Sequence, residues 1–349
     1  MATLWFCLVA AMLTVYVVLD GFDLGAGLVH LWVARTPQER ATVIRTVGPV
    51  WDGNEVWLLA GGGALFCAFP LLFATAFSGF YLPLMIVLWL LCGRALGIEL
   101  RHQIDHPAWT AIWDAVFSCS SGLLALFFGV ALGNVVRGVP IGEDGSFFEP
   151  LWASFEPGAA SGILDGYTVL TGLTAAAALA HHGSLWIVTK TDGPVQDRAR
   201  RSAEVLGWVT AALSIAATIW TKFVQRQPEF LFGAATVNPW GYLFPLLAAI
   251  GIGASLWFRR RRRDLAAFLA SAAFLAGMML TVAFSLYPTL LPSSTDLSRS
   301  LTVHNASAPD AGLRTALRWW IPGILPVIGY FVFVYRRFAG KIDLSEHGY

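Results

Sequence analysis

The sequence predicts an all-α integral membrane protein with nine transmembrane helices, arranged as two parallel four-helix units plus one C-terminal helix. Of the 349 residues, 56% are hydrophobic and 13% are charged, and the mean hydropathy is +0.64. Soluble globular chains carry about 25% charged residues. Apolar runs of about 20 residues, the length that crosses the hydrocarbon core of a bilayer, recur along the whole chain. Lipid must therefore be the solvent for most of its surface.

Nine segments have the length and apolarity of a membrane span. They are Leu4–Val33, Val50–Ala76, Phe77–Leu100, Ala111–Val136, Ile163–Val188, Ala203–Val224, Trp240–Phe258, Leu265–Tyr287 and Trp319–Tyr335. The second and third meet with almost no linker, which predicts a tight hairpin at Phe77-Ser78-Gly79. The first begins without a basic segment and is too long for the apolar part of a signal peptide. We therefore expect it to remain in the mature protein.

The spans group as four, four and one, because the long outer segments 137–162 and 288–318 follow the fourth and eighth spans. The first and fifth spans run in the same direction, so the two units would be parallel repeats. The expected organisation is a first membrane unit over 1–137, a periplasmic connection over 138–162 and a second unit over 163–291. A periplasmic loop over 292–318 and a ninth helix with a cytoplasmic tail over 319–349 complete it.

The basic residues predict the orientation. With the N-terminus outside, sixteen lie in inner segments and six in outer ones, and an excess of Lys and Arg marks the cytoplasmic side. The inner set is Arg35, Arg40, Arg45, Arg101, Lys190, Arg198, Arg200, Arg201, Arg259–Arg263, Arg336, Arg337 and Lys341; the outer set is Arg137, Lys222, Arg226, Arg299, Arg314 and Arg318. We expect a periplasmic N-terminus and a cytoplasmic C-terminus.

The chain shows no ligand set for a metal or haem. Its four cysteines stand singly in apolar runs, which is typical of small core residues and not of metal sites or disulfides. His181 and His182 are adjacent and point about 100° apart on a helix, so they cannot be the two axial ligands of one haem. His30 has no evident partner histidine. The sequence has no basic stripe with interleaved aromatic residues, the pattern that would predict nucleic-acid binding.

Acidic residues inside the first span are the first candidates for function. Asp20 and Asp23 share one helix face and lie roughly 18–22 Å from the cytoplasmic end, close to mid-membrane. Charged side chains at this depth are costly and mark functional sites. Gly21, Gly25 and Gly27 allow another backbone to approach there. The alternative is a buried hydrogen-bonded pair that only ties helices together.

The second and third spans carry charged residues near their cytoplasmic ends. The second begins with a motif containing Trp51, Asp52, Asn54, Glu55 and Trp57. Acids in a first helical turn are also favoured by the helix dipole, which is a simpler explanation for them. In the third, Arg94 lies about 10 Å inside Arg101 and requires a carboxylate partner or access to water. The acidic residues are therefore ordered by depth: Glu99 and Asp52 lie near the cytoplasmic surface, and Asp23 and Asp20 lie near mid-membrane. Such an order predicts a proton relay.

Several short motifs follow one another along essentially the whole chain. They are Gly21-Phe22-Asp23-Leu24-Gly25, Trp51-Asp52-Gly53-Asn54-Glu55-Val56-Trp57-Leu58, Ala76-Phe77-Ser78-Gly79-Phe80-Tyr81, Arg94 with Gly97 and Glu99, Trp113-Asp114, Gly133-Asn134, His182-Gly183, Pro288, Leu291-Pro292-Ser293-Ser294-Thr295 and Ser300-Leu301-Thr302. In this order they resemble subunit II of the cytochrome bd-type quinol oxidase family, including its cyanide-insensitive members.

The resemblance implies a role in a respiratory complex of the bacterial inner membrane. A haem-bearing subunit I would be the partner, would hold b- and d-type haems, and would oxidise quinol and reduce O2 to water. This chain would support assembly and supply a proton route through Asp23, Asp52 and Glu99, with Asp20 beside the motif. Trp51, Asn54, Glu55, Trp57, Arg94 and Arg101 would support that route. A small single-helix subunit, lipids and quinone are further expected partners.

Two other functions are compatible with the pattern. A secondary transporter also uses intramembrane acids and repeats, but it should show interrupted helices in both units. Here the acids concentrate in the first unit, which weighs against it. A scaffold subunit that only stabilises its partner is the other alternative.

Overall fold

The computed structural model describes residues 1–154, 162–225 and 238–342, and these residues are mostly helical. The helices are α1 (Ala2–Val33), α2 (Pro37–Val47), α3 (Trp51–Ala68), α4 (Pro70–Gly79), α5 (Tyr81–Glu99), α6 (Pro107–Arg137), α7 (Gly166–Lys190), α8 (Gly193–Val224), α9 (Leu243–Arg260), α10 (Asp264–Leu286) and α11 (Asp310–Arg337). Seven helices of these residues are long and apolar enough to cross a membrane, and the pair α3–α4 would make eight. A helical, multi-pass membrane protein is thereby confirmed.

Some predicted features lie outside the described residues. They are residues 155–161 of the predicted periplasmic connection, Arg226 of the outer basic set and residues 343–349 of the predicted tail.

The prediction of a continuous second span over Val50–Ala76 is wrong. α3 ends at Ala68, and α4 starts at Pro70 after a bend of 119°. Proline has no N–H for the helical ladder and disfavours helical backbone in the residue before it. That residue, Phe69, accordingly has φ −135° and ψ 64°. The turn predicted around Phe77-Ser78-Gly79 lies slightly later: these residues end α4, and the chain turns at Phe80 before α5 begins at Tyr81.

Two elements near the membrane surfaces were not predicted. α2 is a short helix between α1 and α3, and it begins with a capping box in which Thr36 and Glu39 each accept from the other's backbone N–H. The hydrogen bond from Arg198 holds the pKa of Glu39 below its usual range. Between α10 and α11, β1 (Thr289–Leu291) pairs antiparallel with β2 (Leu301–Thr302). In the described part of the chain, this small sheet departs from the all-α prediction.

The helices pack around α1. It contacts α3, α6, α7 and α10, while α5 packs on α6, α7 on α8 and α10, and α9 on α10. At the crossing of α1 and α7, a Cβ added to Gly25 would lie 2.9 Å from the backbone nitrogen of Gly183. Only glycine permits this separation, so the close approach expected from the glycines of the first span occurs here. Asp20 and Asp23 lie on another face of α1, which contacts α5 and α3.

The cysteines are not core residues, contrary to the interpretation from sequence. Cys7, Cys67, Cys92 and Cys119 are all exposed. An outward-facing helix surface in a membrane is as apolar as the core, so a small apolar residue in a span does not reveal which way it faces.

Candidate functional site

A fully buried arginine joins three helices. Arg94 of α5 donates from Nη1 to Oδ1 of Asp20 on α1, at 2.6 Å, and from Nη2 to Oε2 of Glu55 on α3, also at 2.6 Å. The Arg94 and Asp20 side chains are 0% exposed, and Glu55 is 22% exposed. The guanidinium also lies 5.8 Å from the centre of the Trp51 ring. The partners that the sequence requires for Arg94 are therefore two carboxylates.

Asp23, which lies one helical turn from Asp20 on α1, accepts a hydrogen bond from a side-chain amide. Asn54 of α3 donates from Nδ2 to Oδ2 of Asp23 at 2.7 Å and to the carbonyl of Leu19 at 3.3 Å. The hydroxyl of Tyr335 on α11 donates to Oδ1 of Asn54 at 2.9 Å. Asn54 is 0% exposed and Asp23 1% exposed. Four helices thus meet at this pair of aspartates.

Both aspartates keep one oxygen free. Oδ2 of Asp20 and Oδ1 of Asp23 are buried and have no hydrogen-bond partner among the described residues, and the same holds for Nε1 of Trp57. Buried polar atoms are almost always paired with protein or water, because leaving them unpaired is costly. Each carboxylate is thus held by the described part of the chain through one of its two oxygens.

A second buried cluster lies closer to the C-terminal end of α1 than the first. Asp114 of α6 is 1% exposed and accepts from Nε of Arg101 at 2.6 Å. Nε2 of His30 is 3.0 Å from the same oxygen, and Nη1 of Arg40 is 3.5 Å from the other. Arg101 therefore belongs to this cluster and not to that of Arg94. Sequence analysis did not select Asp114 as a site residue, although an acid inside a predicted span was a usable signal.

Asp52 and Glu99 are placed differently from the other acids. Both side chains are exposed, and neither makes a hydrogen bond or ion pair within the described part of the chain. Asp52 is one turn from Glu55 on α3 but points to the outer surface, whereas Glu99 ends α5. The structure therefore brings together Asp20, Asp23, Asn54, Glu55 and Arg94, and it leaves Asp52 and Glu99 at the surface.

The intramembrane histidines are engaged in bonds within the chain. Nδ1 of His181 is 2.8 Å from the carbonyl of Ala203, and its Nε2 is 2.7 Å from Oγ of Ser255. Nδ1 of His182 is 2.6 Å from Oγ of Ser271, and its Nε2 is 3.1 Å from the carbonyl of Val18. Among the described residues, no group of three or more His, Cys, Asp and Glu side chains could hold a metal ion.

The fold and the buried charges define a class: a multi-pass membrane protein that encloses titratable side chains between its helices. The family model of cytochrome bd terminal oxidase subunit II matches residues 1–338. The chain belongs to this family and is therefore one subunit of an oxidoreductase complex in respiratory electron transport. Membership decides against the secondary transporter.

Curated relatives and a solved structure agree with this assignment. The chain is 33% identical to the cytochrome bd ubiquinol oxidase subunit 2 of Bacillus subtilis, covering 98% of this chain and 97% of the relative. It is 31% identical to the probable cytochrome oxidase subunit 2 of Haemophilus influenzae, covering 98% and 95%. The bd oxidase structure from Geobacillus thermodenitrificans has the same fold, with a TM-score of 0.74, 16% identity and coverage of 97% and 98%.

Proposed function

We propose that this chain conducts protons from the cytoplasmic side of the membrane toward the O2-reducing haem of its partner, and that it supports assembly of that partner. The complex would oxidise quinol and reduce O2 to water, with b- and d-type haems in subunit I. The observation that carries the proposal is the pair Asp20 and Asp23. Each is fully enclosed between helices, held through one oxygen and free at the other. Because the protons would come from the cytoplasm, turnover would separate charge across the membrane without a proton pump.

The order of the route follows from exposure along α3. Asp52 is at the surface, Glu55 one turn further is partly buried, and Glu55 contacts Arg94, which contacts Asp20. Asn54, which lies between Asp52 and Glu55 in the sequence, contacts Asp23. Protons would reach Asp52 first and the α1 aspartates afterwards, with Glu99 as an outer acid on α5. Haems in the partner are consistent with His181 and His182, whose ring nitrogens all contact other groups of this chain.

Asp52→Asn is expected to lower quinol-driven O2 consumption several-fold, because the variant keeps the side-chain shape but cannot carry a proton. The haem spectrum of the purified complex should stay normal, since Asp52 makes no internal bond that folding requires. Glu99→Gln should have a smaller effect, because water offers other paths at the surface. The matched control is Asp105→Asn, an exposed acid in the loop after α5. Wild-type turnover per haem in Asp52→Asn would remove Asp52 from the route.

We also propose nine crossings, with the N-terminus in the periplasm and the C-terminus in the cytoplasm. The seven apolar helices, the bent pair and the central α7 would make nine. In the first unit α1 packs on α3 and α6, and α5 on α6; in the second, α7 packs on α8 and α10, and α9 on α10. This matching pattern supports two four-helix units of parallel direction.

A fluorescent reporter fused after Tyr349 tests the topology. It is expected to fluoresce, and alkaline phosphatase fused at the same position is expected to be inactive, because the sixteen basic residues anchor the inner segments in the cytoplasm. An active phosphatase fusion would contradict the cytoplasmic C-terminus, and with it either the periplasmic N-terminus or the odd number of crossings.

A further inference from the structure

α11, the last helix among the described residues, reaches the Asn54 amide through one side chain. The helix packs on α3 and α1, and its buried residues are Leu313 and Val334. The Tyr335 ring stacks at 6.2 Å on Phe331 and lies 6.4 Å from Trp186. These neighbours direct the hydroxyl inward to Asn54. The residue is 281 positions from Asn54 in the sequence.

The hydrogen bonds of Asn54 allow one orientation of its amide. Its NH2 group faces two acceptors, Oδ2 of Asp23 and the carbonyl of Leu19. Its oxygen faces the Tyr335 hydroxyl, which can donate. In the flipped orientation the amide oxygen would face the two acceptors, and its NH2 would turn to the hydroxyl. The amide oxygen would then oppose two acceptors, which makes the flipped state unfavourable, and the hydrogen bond donated by Tyr335 adds to the preference for the observed orientation.

We propose that Tyr335 is a positioning residue for proton transfer: its hydroxyl orients the Asn54 amide, which anchors Asp23 through Oδ2 and leaves Oδ1 free to exchange protons. The inference rests on the proposed proton route and extends it to α11. The geometry of Asp23 then depends on how α11 is seated against α3. A displacement of α11 removes the donor to Asn54, and with it the anchor of Asp23.

The test uses the purified complex with its partner subunit and compares Tyr335→Phe with wild type. Phenylalanine keeps the ring packing and removes only the hydroxyl. Turnover per haem is expected to fall about fivefold at unchanged KM for quinol, which corresponds to about 1 kcal/mol, the value of one hydrogen bond. Tyr330→Phe is the control, because Tyr330 lies on the same helix and is 52% exposed. It should behave as wild type.

A double-mutant cycle separates positioning from a general structural role. If Tyr335 acts through Asn54, Tyr335→Phe should have no further effect in an Asn54→Ala background. Infrared difference spectra give a readout independent of turnover. The carboxyl band that disappears in Asp23→Asn should shift in Tyr335→Phe and not in Tyr330→Phe. Expressing turnover per haem prevents incomplete assembly from imitating the effect.

The outcomes distinguish this inference from the proton route itself. Wild-type turnover and an unshifted band in Tyr335→Phe would overturn the positioning role, and so would an equal loss with and without Asn54. The Asp23→Asn variant could turn over normally while the Asp23 carboxyl band shifts in Tyr335→Phe. In that case the proton route fails, and the role of Tyr335 in orienting Asn54 stands.

Discussion

Replacing Arg94 with leucine is expected to prevent the assembled complex from accumulating in the membrane. The change leaves the carboxylates of Asp20 and Glu55 without their counter-charge in a buried site. Removing one partner of a buried ion pair costs about 3–5 kcal/mol, and whole domains are stable by only about 5–15 kcal/mol. Haem content per cell and the amount of both subunits in purified membranes measure the effect.

The same carboxylates provide the rescue experiment for Arg94→Leu. Adding Asp20→Asn and Glu55→Gln removes both unpaired charges, and assembly should recover in part. Arg94→Lys should be intermediate, because an ammonium keeps the charge but cannot reproduce the two-sided geometry of the guanidinium. Arg314→Leu is the control, since Arg314 is 67% exposed and 3.8 Å from its partner Asp310. Normal assembly and thermal stability of Arg94→Leu would show that the buried cluster does not hold α1, α3 and α5 together.

Asp23→Asn is expected to have the largest effect on activity. The asparagine oxygen can still accept from Asn54, so the packing of α1 on α3 should persist. The side chain can no longer bind and release a proton, and losing a group that transfers protons lowers rates by about 100-fold or more. Quinol-driven O2 consumption per haem should fall to this extent, while the reduced-minus-oxidised haem spectrum remains that of the wild type.

This experiment also decides between the proton route and the scaffold alternative. A scaffold subunit loses activity only in proportion to the loss of assembled haem. Asp23→Asn would then either assemble and turn over normally, or lose haem and activity together. Asp23→Glu keeps a titratable group at the cost of an added methylene, and a partial recovery of turnover relative to Asp23→Asn would favour the relay.

Sequence alone sufficed for the class of the protein, because span length and the cost of charge in lipid are properties of single segments. The first span illustrates this: its aspartates could be selected from their position and their spacing of three. The bend at Phe69 was also encoded locally by Pro70, although the apolar run concealed it. The capping box of α2 was likewise visible in Thr36 and Glu39.

What only the tertiary structure decided is which helix faces meet. The helical period shows that Asp52 and Glu55 are neighbours, but the rotation of α3 turns one outward and the other toward Arg94. The partners of Arg94 lie 74 and 39 residues away, on α1 and α3, and Tyr335 reaches Asn54 from the other end of the chain. Contacts of this kind depend on the packing of distant helices, where small residues such as Gly25 and Gly183 set the separation. A pattern within one segment does not contain that information.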